Sequence, residues 1–319
     1  MKKVIVLLGP TGVGKTSVSL LIAKALDTEI ISADSMQIYR HMDVGTAKPS
    51  HGERRAVTHH MIDIVDPWDF YSTGEYVKHV APIIDGLHRR GRVPLVVGGT
   101  GLYIKAMTRG IFVGPSADWE LRTELLRRKS EGEDLHDTLR VLDQAAASKI
   151  MPSDTRRIVR ALEVCLRSHQ TISELHLSLT RAMPYDFVKI GITRDRGELY
   201  RLIEERVDAM MATGLLEEVR EVMSLIAERG GSQPVTAFPS MQAIGYKELM
   251  LHLTGEVNLQ EAIRLVKKRS RNYAKRQFTW FRKEAGIRWV DATGVFGPEA
   301  IFAKAQEAYA SVSENAPTS

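Results

Sequence analysis

The run Gly9-Pro10-Thr11-Gly12-Val13-Gly14-Lys15-Thr16 has the spacing G-x-x-x-x-G-K-[ST] of a phosphate-binding loop. Its glycines let consecutive backbone N–H groups turn toward one anion. A helix opening at Thr16 would aim its positive end at the same charge. Lys15 adds a point charge, and the Thr16 hydroxyl is a ligand for Mg²⁺. A plain glycine-rich turn would need none of this chemistry. Here the buried-strand run at 4–8 and the helical pattern at 16–26 flank the loop as a di- or triphosphate site requires. The loop does not say what carries the phosphate.

Other residues stand where chemistry would place them. Asp34 closes Ser32-Ala33-Asp34-Ser35, at the end of a short strand over 29–32. A carboxylate there can take a proton or help hold a metal; it can equally cap a turn. Gly98-Gly99-Thr100-Gly101 closes a strand over 93–97, where glycines permit close approach of a ligand and Thr100 can touch it. Lys48, in Thr46-Ala47-Lys48-Pro49, reads as a solvated loop lysine more readily than as a phosphate ligand. His59 and His60 are neighbours, so on a strand they point to opposite faces and read as structural. The strand over 93–97 ends in glycine, not in the metal-binding Asp of a phosphate-loop NTPase, which makes phosphate binding better supported than ATP hydrolysis.

The first hundred residues alternate strand and helix: strands at 4–8, 29–32, 61–65 and 93–97, helices at 16–26 and 73–90. That order predicts an α/β fold with a P-loop NTPase-like parallel sheet flanked by helices, its ligands at the carboxyl ends of the strands. From Gly114-Pro115-Ser116 to Met183-Pro184 helical patterns (119–131, 135–143, 145–150, 154–168) replace strands. The expected organisation is a core of 1–114 and 185–319 with an all-helical insertion at 115–184. The core resumes with a strand at 187–193, helices at 196–213, 215–228, 240–253 and 259–283, and a strand at 288–290. Fraying is expected after Tyr309.

The chain of 319 residues is 44% hydrophobic and 26% charged, as soluble globular proteins are. No apolar run approaches the roughly 20 residues that span a bilayer. The lone Cys165 excludes an internal disulfide and a cysteine metal cluster, and reads as a buried thiol, which favours the cytoplasm. Net charge is +5. The basic residues cluster: Arg264, Lys267, Lys268, Arg269, Arg271, Lys275, Arg276, Arg282, Lys283 and Arg288 face a single acid, Glu284, with Tyr273, Phe278, Trp280, Phe281 and Trp289 among them. A basic face with stacking aromatics suits nucleic acid; a solvated helix face with its aromatics in the core is the competing reading.

Taken together, these segments resemble the tRNA dimethylallyltransferases. The stretches are Gly-Pro-Thr-Gly-Val-Gly-Lys-Thr at 9–16, Ser-Ala-Asp-Ser-Met-Gln-Ile-Tyr-Arg at 32–40, Met-Asp-Val-Gly-Thr-Ala-Lys-Pro at 42–49, Val-Gly-Gly-Thr-Gly-Leu-Tyr at 97–103, Arg-Ala-Leu-Glu-Val at 160–164 and Ala-Lys-Arg-Gln-Phe-Thr-Trp-Phe-Arg at 274–282. The family's usual Ser-Val-Asp-Ser is Ser-Ala-Asp-Ser here, and Gln242 stands where some relatives have Arg.

The resemblance implies transfer of a dimethylallyl group from dimethylallyl diphosphate to N6 of the adenosine 3′ of the anticodon, in tRNAs that read codons beginning with U. It implies that the loop Gly9, Pro10, Thr11, Gly12, Val13, Gly14, Lys15, Thr16 holds the donor's diphosphate rather than ATP, with Mg²⁺ at Thr16. Asp34 would be the base, Thr11 and Thr100 would line the pocket, and Arg220 would lie near the diphosphate. Implied tRNA contacts are Asp34, Ser35, Met36, Gln37, Thr100, Arg122, Arg156, Arg157, Arg160, Gln242, Lys247, Lys275, Arg276 and Arg282. The insertion would clamp the anticodon arm, and the expected state is a cytoplasmic monomer. Two rivals stand beside this reading: a P-loop kinase using Asp34 as base on a hydroxyl, and an RNA-binding module with a vestigial nucleotide site.

Overall fold

The computed structural model describes residues 1–112, 114–115, 117–168 and 170–313. The chain forms two compact units, one of residues 1–104 with 184 onward, the other of 105–183.

In the first unit, β1 (Lys3–Leu8), β2 (Ile30–Ser32), β3 (His59–His60), β4 (Leu95–Gly98), β5 (Asp186–Thr193) and β6 (Ile287–Asp291) make one sheet of order β3-β2-β4-β1-β5-β6. Every pairing is parallel. Residues 4–8 of β1 are all buried, because helices cover both faces of a parallel sheet and leave no solvent side for polar alternation. β2, β3 and β4 lie to one side of β1 and β5 and β6 to the other, so the loop after β1 opens where the winding reverses.

The helices of this unit are α1 (Lys15–Ala25), α2 (His51–Ala56), α3 (Thr73–Arg89) and the start of α4 (Gly101–Thr108). The second unit contains α5 (Trp119–Ser130), α6 (Leu135–Leu142), α7 (Gln144–Ala147), α8 (Thr155–Ser168) and α9 (Ile172–Leu179). The first unit resumes with α10 (Arg196–Ala212), α11 (Leu215–Arg229), α12 (Tyr246–Leu253), α13 (Leu259–Phe281) and α14 (Pro298–Ser313). One core packs α1, α10 and α14 on the sheet through Ile5, Leu7, Val18, Ile190, Ile203 and Ile301. Another joins the segment after β2 to α11, α12 and α13 through Tyr39, Met42, Leu215, Val219, Tyr246 and Val266.

Several expectations change. The strand expected at 61–65 is instead β3 at His59–His60. Met61 and Asp63 adopt φ of 64° and 55°, which stops the strand, and the Asp63 carboxylate turns to Lys48 and Arg54. The helix expected at 240–253 is a 3₁₀ turn at Ser240–Gln242 followed by α12, broken where Gly245 has φ of 99°. The helix expected at 145–150 stops at Ala147. Short α2 and α9 escaped the periodicity reading, yet each opens with a capping box, Ser50 with Glu53 and Thr171 with Glu174. α14 runs to Ser313, past the expected fraying point; residues 314–319 lie outside the described residues, as does Ser116 of the expected boundary turn.

The second unit starts before residue 115 because its two connecting segments pair: Met183 N–H donates to the Met107 carbonyl at 2.9 Å. Its core is Leu125, Leu135, Leu139, Ile158 and Leu162. Cys165 is half-buried rather than buried as expected, and burial raises its pKa, which disfavours the reactive thiolate.

Candidate active site

The loops after β1, β2 and β4 meet at the carboxyl edge of the sheet. The Thr100 N–H donates to the Ala33 carbonyl at 3.1 Å, and the Thr100 hydroxyl accepts the Ser35 N–H at 3.0 Å. These bonds set Asp34 and Thr100 side by side. Asp34 Oδ1 accepts the N–H groups of Met36 at 2.8 Å and Gln37 at 3.4 Å, so this oxygen does cap the turn. Among the described residues no hydrogen bond occupies Oδ2. One carboxylate thus has one oxygen anchored and one available.

In the phosphate loop Lys15 Nζ donates to the carbonyls of Gly9 at 2.9 Å and Pro10 at 2.8 Å, folding back over the loop. Burial and the neighbouring Arg206 lower its pKa to about 7, against an opposing pull from Asp34. Burial also lowers the Arg206 pKa. Arg206 Nη2 donates to the Thr11 hydroxyl at 2.6 Å, while Arg206 Nε is buried without a partner. Two desolvated cations and one unused N–H make a site that an anion would relieve.

The Thr16 hydroxyl stands in the first turn of α1, and no described side chain takes it up. Among the described residues no three His, Cys, Asp or Glu side chains gather as a metal cage. That donor set fits Mg²⁺, which binds through few protein ligands and takes the rest from water and phosphate oxygens.

Thr11, Asp34, Ser35, Met36, Arg206, Gln242 and Arg276 line a cavity of about 250 Å³. Apolar side chains line it too, from Val207, Met210, Leu215, Ile244 and Val266, with the Tyr273 ring beside Arg276. Burial, with the charge of Asp34, raises the Tyr273 pKa to about 12, so its hydroxyl stays protonated.

Not every expected residue reaches this site. Arg220 is exposed on α11 and lines neither the loop nor the cavity; the arginine that does is Arg206 of α10. Lys48 is not solvated: its side chain is 1% exposed and holds Asp43, Asp63 and the Tyr39 carbonyl. His60 pairs with Glu29, and His59 meets the Val57 carbonyl, both structural roles. Lys247 is exposed outside the cavity and donates to Oε1 of Gln242, which does line it, at 3.1 Å.

The basic run on α13 divides. Arg264, Lys267 and Arg271 pair with Glu261, Asp208 and Glu204, and Arg269 is 4.0 Å from Glu248. Lys275, Arg276 and Arg282 are exposed and take no ion-pair partner among the described residues. Arg282 stacks over Phe278, which stacks on Trp289. In the second unit the buried Glu163 carboxylate accepts Arg122 Nε and Nη2, both at 2.9 Å, and Arg160, fixing the pose of two guanidinium groups. Arg156 and Arg157 are exposed on α8.

Three residues of this architecture were missed: Arg206, Gln277 and Glu218. Each is a polar residue on the buried stripe of its helix. Arg206 sits among Leu199, Ile203 and Val207, Gln277 among Ser270, Ala274 and Phe281, and Glu218 among Leu215, Val219 and Val222. A long polar side chain at a core-facing position is a signal the sequence does carry.

The IPP transferase family profile matches residues 37–284, and an isopentenyl transferase profile matches residues 2–63. The chain belongs to the IPP transferase family. It is 53% identical over 314 residues to the tRNA dimethylallyltransferase of Thermodesulfovibrio yellowstonii, covering 98% of both chains. Among solved structures it is similar to the full-length tRNA isopentenylpyrophosphate transferase of Bacillus halodurans, at 40% identity and TM-score 0.66, covering 98% of this chain and all of that one. It is also similar to a eukaryotic dimethylallyltransferase acting on tRNA, at 28% identity and TM-score 0.83, covering 99% of this chain and 79% of that one. Family members thus share this α/β architecture. Among the described residues no helix is long and apolar enough to cross a membrane.

Proposed function

We propose that this chain moves a dimethylallyl group from dimethylallyl diphosphate to N6 of the adenosine 3′ of the anticodon in tRNAs reading UNN codons. The observation that carries the reading is one cavity lined by Asp34 and Arg206 together with the apolar side chains of Val207, Met210, Leu215 and Val266. A kinase acting on a hydroxyl gives no reason for those apolar side chains.

The adenine amine is a poor nucleophile, because its lone pair is spread into the ring. Asp34 Oδ2 takes the N6 proton as the N6–C1 bond forms and the allylic C–O bond breaks, the electron pair leaving with the diphosphate. Lys15, Arg206 and the loop N–H groups receive the charge that grows on the departing oxygens. Mg²⁺ held by the Thr16 hydroxyl and phosphate oxygens would supply further charge neutralisation. The adenosine must leave the anticodon-loop stack to enter the cavity. Lys275, Arg276 and Arg282, with Arg122, Arg156, Arg157 and Arg160 of the second unit, are the proposed contacts to the anticodon arm. The chain would work as a monomer, in the cytoplasm with its tRNA.

The test is to incubate the protein with Mg²⁺, dimethylallyl diphosphate and unmodified tRNA, digest the RNA and weigh its nucleosides. The expected product is an adenosine heavier by one five-carbon prenyl group, lost with Asp34→Ala while tRNA binding persists. No prenylated nucleoside from protein that binds tRNA overturns the reading.

A further inference from the structure

Two residues that line the cavity, Gly45 and Thr46, belong to a segment anchored by a carboxylate that does not itself line it. Glu218 Oε2, on α11, accepts the N–H groups of Asp43 and Val44, each at 2.7 Å. Its Oε1 accepts the Gly45 N–H at 2.8 Å and the Tyr246 hydroxyl. Three successive backbone N–H groups form an anion-binding concavity, and here the protein fills it with its own side chain. The segment lies flat on the Tyr246 ring: a Cβ added to Gly45 would be 2.5 Å from Tyr246 Cε2 and 2.8 Å from Leu215 Cδ1. Lys48 Nζ adds a second anchor, holding Asp43 at 2.7 Å and the Tyr39 carbonyl at 2.6 Å.

The clamp connects to the reacting group. Gly45 and Thr46 line the cavity together with Asp34. The carbonyls of Thr46 and Ala47 accept Gln37 Nε2 at 3.2 and 3.3 Å. Gln37 Oε1 accepts the Ser32 hydroxyl at 3.0 Å, and the Gln37 N–H donates to Asp34 Oδ1 at 3.4 Å. A chain of hydrogen bonds therefore runs from Glu218 through residues 43–47 and Gln37 to Asp34. The phosphate loop is tied elsewhere, by Lys15, Arg206 and Gln277.

We propose that Glu218 is a positioning residue for the acceptor: it fixes the wall formed by Gly45 and Thr46, and through Gln37 the turn carrying Asp34, without acting on the diphosphate. This rests on the prenyl-transfer reading above. Glutamine at 218 could accept through one oxygen only and would set an NH₂ group against backbone donors.

The experiment measures prenyl transfer to tRNA and, on the same preparations, binding of inorganic diphosphate. Glu218→Gln should lower kcat about tenfold to a hundredfold through misplacement of the acceptor, with diphosphate affinity and the KM for dimethylallyl diphosphate within about twofold of wild type. A merely structural role would move both sides together. Should Glu218→Gln fail to fold, Gly45→Ala decides. It keeps the carboxylate but pushes the segment off the Tyr246 ring, and the same selective loss is expected. Folded Glu218→Gln, or Gly45→Ala in its place, with kcat within about twofold of wild type overturns the proposal, as does a parallel loss of diphosphate affinity. Wild-type protein that makes no prenylated adenosine overturns the underlying reading, and the proposal with it.

Discussion

Gln277 Oε1 accepts the Thr11 N–H at 2.9 Å, and the other end of the same amide donates from Nε2 to the Gly99 carbonyl at 2.9 Å. One buried side chain of α13 thus joins the phosphate loop after β1 to the turn after β4. The turn is shaped to receive it: a Cβ on Gly99 would lie 2.3 Å from Gln277 Nε2. Gln277→Met keeps the bulk and removes both bonds, leaving the buried Gly99 carbonyl unpaired at about 1–3 kcal/mol and the half-buried Thr11 N–H without its partner. The expected outcome is a lower urea midpoint and weaker diphosphate binding. A midpoint and affinity equal to wild type would mean that the amide bridges nothing of consequence.

Arg206 and Arg220 offer a direct contrast. Arg206 reaches the Thr11 hydroxyl from a half-buried position lining the cavity, whereas Arg220 is exposed on α11. Arg206→Ala should lower kcat about a hundredfold to a thousandfold, the scale for losing one preorganised donor to developing charge. Arg220→Ala should leave kcat within about twofold, as surface changes do. Arg206→Lys should restore little, since an ammonium lacks the planar fork that reaches Thr11 and the anion together. Equal rates for the two alanine variants would return the diphosphate role to Arg220.

That contrast also marks what was legible in the amino-acid sequence. The phosphate loop, Asp34 and Thr100 could be read because their roles follow from local order: strand, then loop, at one edge of a parallel sheet. Arg206, Glu218 and Gln277 act on loops some 170 to 270 positions away. Local periodicity reports only that their helices have an inner face. It cannot say which loop that face meets, and an arginine or glutamate beside the buried positions looks like an interruption of the stripe. The buried role of Lys48 is hidden for a related reason. Its partner Asp63 is 15 residues on, brought back by left-handed backbone at Met61 and Asp63 that no periodicity announces. The matching motif flagged the segment, but only the fold gives Lys48 its buried, structural part.

Lys15 makes the site sensitive to pH. Its pKa falls from 10.5 to about 7 in the folded chain, through burial first and Arg206 second. Between about 7 and 10.5 the unfolded chain then holds more protons at this group, so its contribution to stability rises with pH across that window. A bound diphosphate favours the charged amine and reverses the shift. Inorganic diphosphate should therefore draw a proton onto Lys15 when it binds at pH 8. Titration calorimetry in buffers of different ionisation heat counts that proton. Wild type should take up more than Lys15→Met, and the wild-type affinity should fall by up to about tenfold per pH unit above neutrality. The same proton count in both proteins would sink the linkage.

The two halves of the basic run on α13 should differ in their effect on tRNA. Arg264, Lys267 and Arg271 are already neutralised by Glu261, Asp208 and Glu204. Lys275, Arg276 and Arg282 are exposed, and the last two are steadied by the Tyr273 and Phe278 rings without losing charge. Phosphate contacts release counterions, so each cation that meets the backbone adds to the slope of log affinity against log salt. Replacing Lys275, Arg276 and Arg282 together by Gln should flatten that slope by about 2 to 3 and weaken tRNA binding at low salt. The same change at Arg264, Lys267 and Arg271 should alter the slope by less than about 1, because it removes cations that acids already hold. Filter binding of the anticodon arm across a salt series distinguishes the two sets. Equal flattening by both would mean that the ion pairs open on tRNA and the whole helix face is engaged.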